Sequence, residues 1–254
     1  MDANTRSSLD QMERAGYLPA LRSIAQSACA PFWWHSLDKD GDCRIHHNGT
    51  VCFLQTSKRL IAVTARHVFE EYRKAKAEQP DIRCQFGGVT TEPEDRLIAE
   101  SEYLDLVTFD ISEVVVAASG CSPHTPLLWP TREVTVGDTL LYGGYPGSLR
   151  AEHEVTADFP FQWFAWAPIS VTPENIKLHI DLENFHQPLQ GANVPNIELG
   201  GMSGGPVFRL VPAPPIERLE LVGFIYESQP TLSLVFARPS HYITEQGEIN
   251  ENAV

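Results

Sequence analysis

The chain has 254 residues, enough for one large or two small domains, and 43% of them are hydrophobic, which supplies a core and excludes global disorder. The net charge is −14, from 33 acidic and 19 basic residues, so nucleic acid is disfavoured as a partner because phosphate contacts need clustered Lys and Arg. No apolar stretch of about 18 residues is present, so no membrane partner is expected.

The N-terminus, Met1-Asp2-Ala3-Asn4-Thr5-Arg6, is not a basic segment followed by a long apolar run. It does not read as a secretory signal, and a cytoplasmic location is the expectation. A mature secreted form stripped of its signal is the competing reading. Residues from about Ser7 to Ala28 read as two helical pieces. Leu9 and Met12 start one stripe; Pro19 suits the first turn of the second, with Leu18, Leu21 and Ile24 along one face. From Phe32 onward the texture changes to short β-type runs. Gly49 to Gln55 reads as a strand, Thr56 to Arg59 as a turn, and Leu60 to Thr64 as the return strand. Phe69 to Ala77 reads as a short helix and Leu97 to Ile111 as further strand. Cys121 to Pro130 is the best linker candidate. Beyond it, Val134 to Gly147 reads as strand, turn, strand, turn. Phe161 to Trp166, Ile176 to Leu182, Pro206 to Leu210, Leu219 to Tyr226 and Leu232 to Phe236 are further strand candidates. Many short strands in two groups predict two antiparallel barrels.

Two segments have simple readings. The five cysteines, Cys29, Cys43, Cys52, Cys84 and Cys121, form no CxxC pair, so buried reduced thiols are expected rather than a zinc site. Asp38-Lys39-Asp40-Gly41-Asp42 resembles a calcium loop, but its glycine falls two places early and Gly49 stands where such a loop ends in Glu. A solvated hairpin turn is the expectation.

Chemistry concentrates in three places. Gly201-Met202-Ser203-Gly204-Gly205-Pro206 exposes a serine on a glycine-rich loop, whose backbone can turn sharply and aim N–H groups at a substrate carbonyl. A serine hydroxyl is a poor nucleophile at neutral pH and needs a base, which in turn needs an orienting acid. Thr64-Ala65-Arg66-His67 offers His67 as the base. Leu104-Asp105-Leu106-Val107 offers Asp105 as the orienter, a carboxylate among apolar neighbours that calls for a partner. Each alone has a bland reading: a turn serine, a structural histidine, a capping aspartate. Asp110 competes with Asp105, but it lies five residues on and would face the opposite side of a strand.

Together these segments resemble the trypsin-like (chymotrypsin-fold) serine peptidases, in the disulfide-poor form common in bacteria. Thr64 to His67 resembles the T-A-x-H box, Asp105 to Thr108 the D-[LIV]-[AV] box, and Gly201 to Pro206 the G-x-S-G-G-P box. The separations are 38 residues (67 to 105) and 98 residues (105 to 203), against about 45 and about 93 in the template triad. The resemblance covers roughly residues 32 to 243. It implies an all-β fold of two antiparallel six-stranded β-barrels with an N-terminal helical extension. The expected division is 1–30 for the extension, 31–125 for the first barrel and 126–254 for the second.

The implied activity is a serine endopeptidase with catalytic His67, Asp105 and Ser203. The N–H groups of Gly201 and Ser203 would form the oxyanion hole. The substrate would be a protein or peptide, extended along Tyr226-Glu227-Ser228, and no cofactor is implied. Limited cleavage of one intracellular protein is the expected role. A catalytically silent module that binds peptides on the same fold is the alternative. The family's pocket floor falls at Ile197, with Glu198 beside it, so an apolar or small residue before the cut is expected; a one-residue register shift would put Glu198 inside and reverse this. Two departures stand out. Val68 occupies the place of the cysteine that follows the histidine in secreted members. Met202 occupies the place of the acid that pairs with a newly cut N-terminus, so the loop around Ser203 must be held another way or form only when substrate or a partner binds.

Overall fold

The computed structural model describes residues 16–39, 41–153, 156–180, 198–212 and 218–253. The chain enters through α1 (Tyr17–Ser27). Its core-facing stripe is Tyr17, Leu21 and Ala25 at i, i+4 spacing. The expected face is therefore rotated: Ala25 is buried and Ile24 is 49% exposed. The first helical piece, around Leu9 and Met12, lies outside the described residues.

The first sheet is built from β1 (Cys29–Leu37), β2 (Cys43–Gln55) and β3 (Leu60–Ala65), followed by α2 (Arg66–Glu78), β4 (Arg83–Phe86), β5 (Val89–Thr91), β6 (Leu97–Ser101) and β7 (Leu106–Asp110); α3 (Glu113–Ala118) closes it. Its spatial order is β5-β4-β1-β2-β3-β7-β6, with antiparallel pairing throughout. The β2–β3 hairpin is the expected one. The Thr56 hydroxyl closes its turn by accepting the N–H groups of Lys58 and Arg59 at 3.1 and 2.9 Å. Between β1 and β2 the chain turns at Asp38, whose carboxylate accepts the Asp42 N–H at 2.9 Å.

The Cys121–Pro130 segment forms no strand; it meets the first sheet through an isolated bridge, His124 to Leu54, and through the Cys121 thiol, which donates to the Cys29 carbonyl at 3.3 Å. The second sheet then takes β8 (Leu140–Gly144), a small ribbon of β9 (Ala151–Glu152) and β10 (Ala157–Asp158) standing apart, and β11 (Gln162–Trp166), β12 (Ser170–Val171), β13 (Ile176–His179), β14 (Pro206–Val211), β15 (Arg218–Gln229) and β16 (Leu234–Pro239). Its order is β11-β8-β14-β15-β16-β13-β12. The architecture is mostly β: two curled antiparallel half-barrels in a chymotrypsin-like arrangement. Among the described residues each sheet has seven strands, against an expectation of six. The surplus is accounted for by short rim strands, β5 with three residues and β12 with two.

Three strand expectations fail in whole or in part. Leu97 to Ile111 is not continuous strand: a turn at 102–105, which carries Asp105, splits it into β6 and β7. Val134 to Val136 is not a strand, because the Asp138 carboxylate captures the Thr135 N–H at 2.7 Å and folds the segment into a local turn. Leu232 belongs to a short 3-10 turn that begins at Pro230 and ends in left-handed Ser233 (φ 54°), so the strand starts only at Leu234.

Three apolar clusters hold the molecule together. Phe32, Phe53, Phe69, Phe86 and Phe109 fill the first half-barrel. Tyr142, Phe164, Ile176, Met202 and Val207 fill the second. Between them lies a shared core, with Cys52, Leu54, Ile61 and Leu106 from the first sheet meeting Leu141, Phe208, Leu221 and Phe224 from the second. All five cysteines are free thiols. No helix among the described residues is long and apolar enough to cross a membrane.

Candidate active site

β3 and β7 pair in the register Ala65↔Leu106. Their ladder therefore ends with residues 66–67 on one strand and 104–105 on the other, side by side. Here β3 passes directly into α2, whose N-terminal N–H groups lack intrahelical partners. Ala65 offers no side-chain cap. The turn before β7 supplies the partners: the Asp105 carbonyl accepts the Arg66 N–H at 3.1 Å, and Asp105 Oδ1 accepts the His67 N–H at 2.8 Å. The remaining oxygen, Oδ2, lies 2.6 Å from His67 Nδ1. One carboxylate thus caps the helix and fixes the imidazole. A negative charge is also favoured at that helix end. Ion pairs of Arg66 with Glu100 (3.5 Å) and Arg73 with Glu100 (3.0 Å) fasten α2 to β6.

Asp105 makes these contacts from a left-handed backbone, φ 52°, a conformation Asp tolerates better than most residues. Arg238, buried on β16 of the other sheet, braces the turn. Its Nε donates to the Leu104 carbonyl at 2.9 Å and one terminal nitrogen to the Glu174 carbonyl at 2.7 Å. Its guanidinium lies 4.4 Å from the Tyr226 ring centroid. The competing aspartate, Asp110, sits at the far end of β7 opposite Ile61 and pairs at the surface with Arg59 at 2.7 Å.

Ser203 lies just before β14. Gly204 and Gly205 exchange backbone hydrogen bonds with Ile225 of β15, at 2.7 and 2.8 Å, and the Ser203 carbonyl accepts the Thr50 N–H of β2 at 2.8 Å. These bonds bring the serine loop across to the first sheet. Ser203, His67 and Asp105 line one cleft of about 550 Å³ together with Gly201, Tyr226, Glu227 and Ser228. β14 ends its pairing with β15 at Phe224, whereas β15 continues against β16 to Gln229. The stretch 226–229 therefore has one edge unpaired by β14, and a bulge between Ile225 and Glu227 re-aims it. Glu198 is exposed and does not line the cleft; its carbonyl accepts the Ser148 hydroxyl at 2.8 Å. Ile197 lies outside the described residues.

Sequence reasoning missed other cleft residues: His47, Asn48, Glu71, Tyr103 and Arg238. For Arg238 a signal existed, since a cation inside the otherwise apolar strand Leu234–Pro239 must find partners. For the others no local pattern marks the role.

Burial of the His67 ring disfavours the imidazolium, but the Asp105 hydrogen bond and charge, with Glu71 and Glu227 beyond, outweigh it. The pKa of His67 is raised above the ordinary 6.5. A base must be neutral to accept a proton, so any rate that depends on His67 falls as pH drops through this raised value. Glu71→Gln and Glu227→Gln each remove a negative charge that favours the imidazolium. Each is expected to move the acid limb of the kcat/KM profile to lower pH. An acid limb that stays put in both variants would dissociate that limb from His67.

No protein-family model matches the sequence, and no curated protein matches it. Among solved structures, the chain is similar to one from work on the coupled folding and binding of the intrinsically disordered Sesbania mosaic virus VPg protein. The identity is 13% and the TM-score 0.44, over 85% of this chain and 94% of that one. It is also similar to tobacco vein mottling virus protease, at 9% identity and TM-score 0.45, over 84% of this chain and 77% of that one. At these identities the similarity is one of chain path.

Proposed function

We propose that the chain is a serine endopeptidase of the trypsin-like, disulfide-poor kind, acting by limited cleavage of a cytoplasmic protein. The observation that carries this reading is the two-point hold of Asp105 on His67, through the main-chain N–H and Nδ1, at the wall of a cleft that Ser203 also lines. With Nδ1 engaged, the other ring nitrogen is the one available to act as base. Ser203 Oγ would attack the scissile carbonyl and His67 Nε2 would take its proton. The same proton then passes to the leaving amine, and water repeats the sequence on the acyl-enzyme. The unpaired edge of 226–229 suits an extended peptide added as a strand. Glu227 beside it favours basic side chains near the cut, and the cleaved position itself takes an apolar or small residue.

A fluorophosphonate probe tests the reading. It is expected to label the wild-type chain on Ser203 and to leave Ser203→Ala unlabelled. A peptide library is expected to be cut after small or apolar residues by the unlabelled wild-type chain. Retention of peptides without labelling or cleavage would replace the peptidase by a binding module on the same fold. Dominant Lys or Arg at the cleaved position would overturn the specificity.

A further inference from the structure

Met202 carries no charge, and its side chain is buried in the second core, so the loop before Ser203 has no ionic anchor at that position. Its hold comes from carbonyl oxygens. Four in succession accept hydrogen bonds within the protein. Gly200 accepts the Gly147 N–H at 2.7 Å, Met202 the Gly205 N–H at 2.9 Å and Ser203 the Thr50 N–H at 2.8 Å. Gly201 accepts the Thr50 hydroxyl at 2.9 Å. A trans peptide points its N–H opposite to its C=O. Turning the Gly200 and Met202 carbonyls inward therefore turns the N–H groups of Gly201 and Ser203 the other way. Among the described residues, neither N–H donates to a protein acceptor.

Gly201 is the weak joint. Its φ is +99°, which glycine adopts without the strain an L side chain would meet. The Thr50 hydroxyl is what seizes its carbonyl. That hydroxyl is buried, donates to Gly201 O and accepts the Tyr145 N–H at 3.0 Å, so its single proton has one direction to point. The Thr50 carbonyl accepts the Thr64 hydroxyl at 2.6 Å, which ties the same residue to β3, the strand that leads to His67.

Building on the peptidase reading, we propose that Thr50 is a positioning residue for the oxyanion hole: its hydroxyl on Gly201 O, with Leu199 O accepting the Met202 N–H at 3.1 Å at the other end, pins the 201–202 peptide that joins the two donor peptides, so that the N–H groups of Gly201 and Ser203 face the reacting carbonyl together. Thr50 does not touch substrate. Replacing the hydroxyl by a methyl in Thr50→Val keeps the shape, strips Gly201 O and Tyr145 N–H of a partner, and leaves the 201–202 peptide held at its N–H end alone. Loss of one oxyanion donor lowers rates by about 10²- to 10³-fold. A donor loosened rather than removed is expected to lower them by about 10- to 100-fold.

The test is the saturable reaction of the full chain with a fluorophosphonate, whose phosphonyl oxygen occupies the same hole. Thr50→Val is expected to lower kinact with little change in KI, and Thr50→Ser, which restores the hydroxyl, to recover most of it. A lesion of general packing would not be rescued by the smaller serine. In a crystal structure of the wild-type adduct, Gly201 O is expected to stay on Thr50 Oγ1 while both N–H groups reach the phosphonyl oxygen. This measurement stands even if Thr50→Val does not fold. A reactive wild type with equally reactive Thr50→Val, or an adduct in which Gly201 O has left Thr50, overturns the role of Thr50 alone. An unreactive wild type overturns the peptidase reading and this inference with it.

Discussion

Ser203→Ala and His67→Ala are each expected to lower turnover by about 10⁴- to 10⁶-fold. The double variant is expected to be no worse than either single one, because on the peptidase reading nucleophile and base act as one unit and the second loss removes nothing that still functions. Stability should barely move. Ser203 is partly exposed, and its structural bonds to Thr50 and the strands run through main-chain atoms that alanine keeps. In His67→Ala the main-chain N–H of residue 67 still donates to Asp105 Oδ1, so the cap of α2 survives the loss of the ring. Melting temperatures within about 3 °C of wild type are expected, as for substitutions outside the core. Kinetics on a cleaved library peptide, with a thermal melt of each variant, decide the matter. Substantial turnover in Ser203→Ala would end the peptidase reading.

The residues of that prediction are readable without a structure because each sits in a short segment whose chemistry is local. Glycines around a serine, a small-residue approach to a histidine and a carboxylate among leucines are anomalies within a few positions. The β2–β3 hairpin is equally local: alternating apolar runs flank a turn that its own threonine closes. Thr50, Asn48, Tyr145 and Arg238 are different. Asn48 donates to the Tyr145 carbonyl at 2.8 Å across 97 positions of sequence. Arg238 reaches Leu104 across 134. Such partners exist only once the two sheets have docked in register, and no window of one sequence contains them. The failed strand at Val134 to Val136 teaches the converse. Its alternation is that of a strand, but an aspartate three residues from Thr135 offered the backbone a nearer partner than any neighbouring strand. The exposure of Ile24 has a similar reason. Helical period alone leaves the exact face open, and the docked shared core chose Ala25.

Gly204→Ala is expected to be the most damaging single methyl in the site. Gly204 has φ +90°, where an L side chain is strained. A Cβ there would lie 1.9 Å from the Thr50 carbonyl oxygen and 2.3 Å from the Thr64 hydroxyl. Neither obstacle can yield cheaply. The carbonyl belongs to β2, and the hydroxyl is committed to that same carbonyl. Backbone strain of about 1–2 kcal/mol and overpacking of about 1–3 kcal/mol together give a loss of roughly 2–5 kcal/mol. For a chain of this size that lowers the melting temperature by on the order of 10 °C. Gly88→Ala is the control, since nothing lies within 4 Å of its Cβ position and its φ is not in the strained range; about 1 °C or less is expected there. The activity of Gly204→Ala should fall further than its stability at a temperature where it remains folded. Relief of the clash must push the serine loop away from β2, and the Ser203 carbonyl would then leave the Thr50 N–H. Differential scanning calorimetry on both variants, with fluorophosphonate rates well below the melt, separates the two effects. A Gly204→Ala chain that melts with wild type would mean the serine loop does not sit against the first sheet as described, and the placing of Ser203 in one cleft with His67 would fall with it.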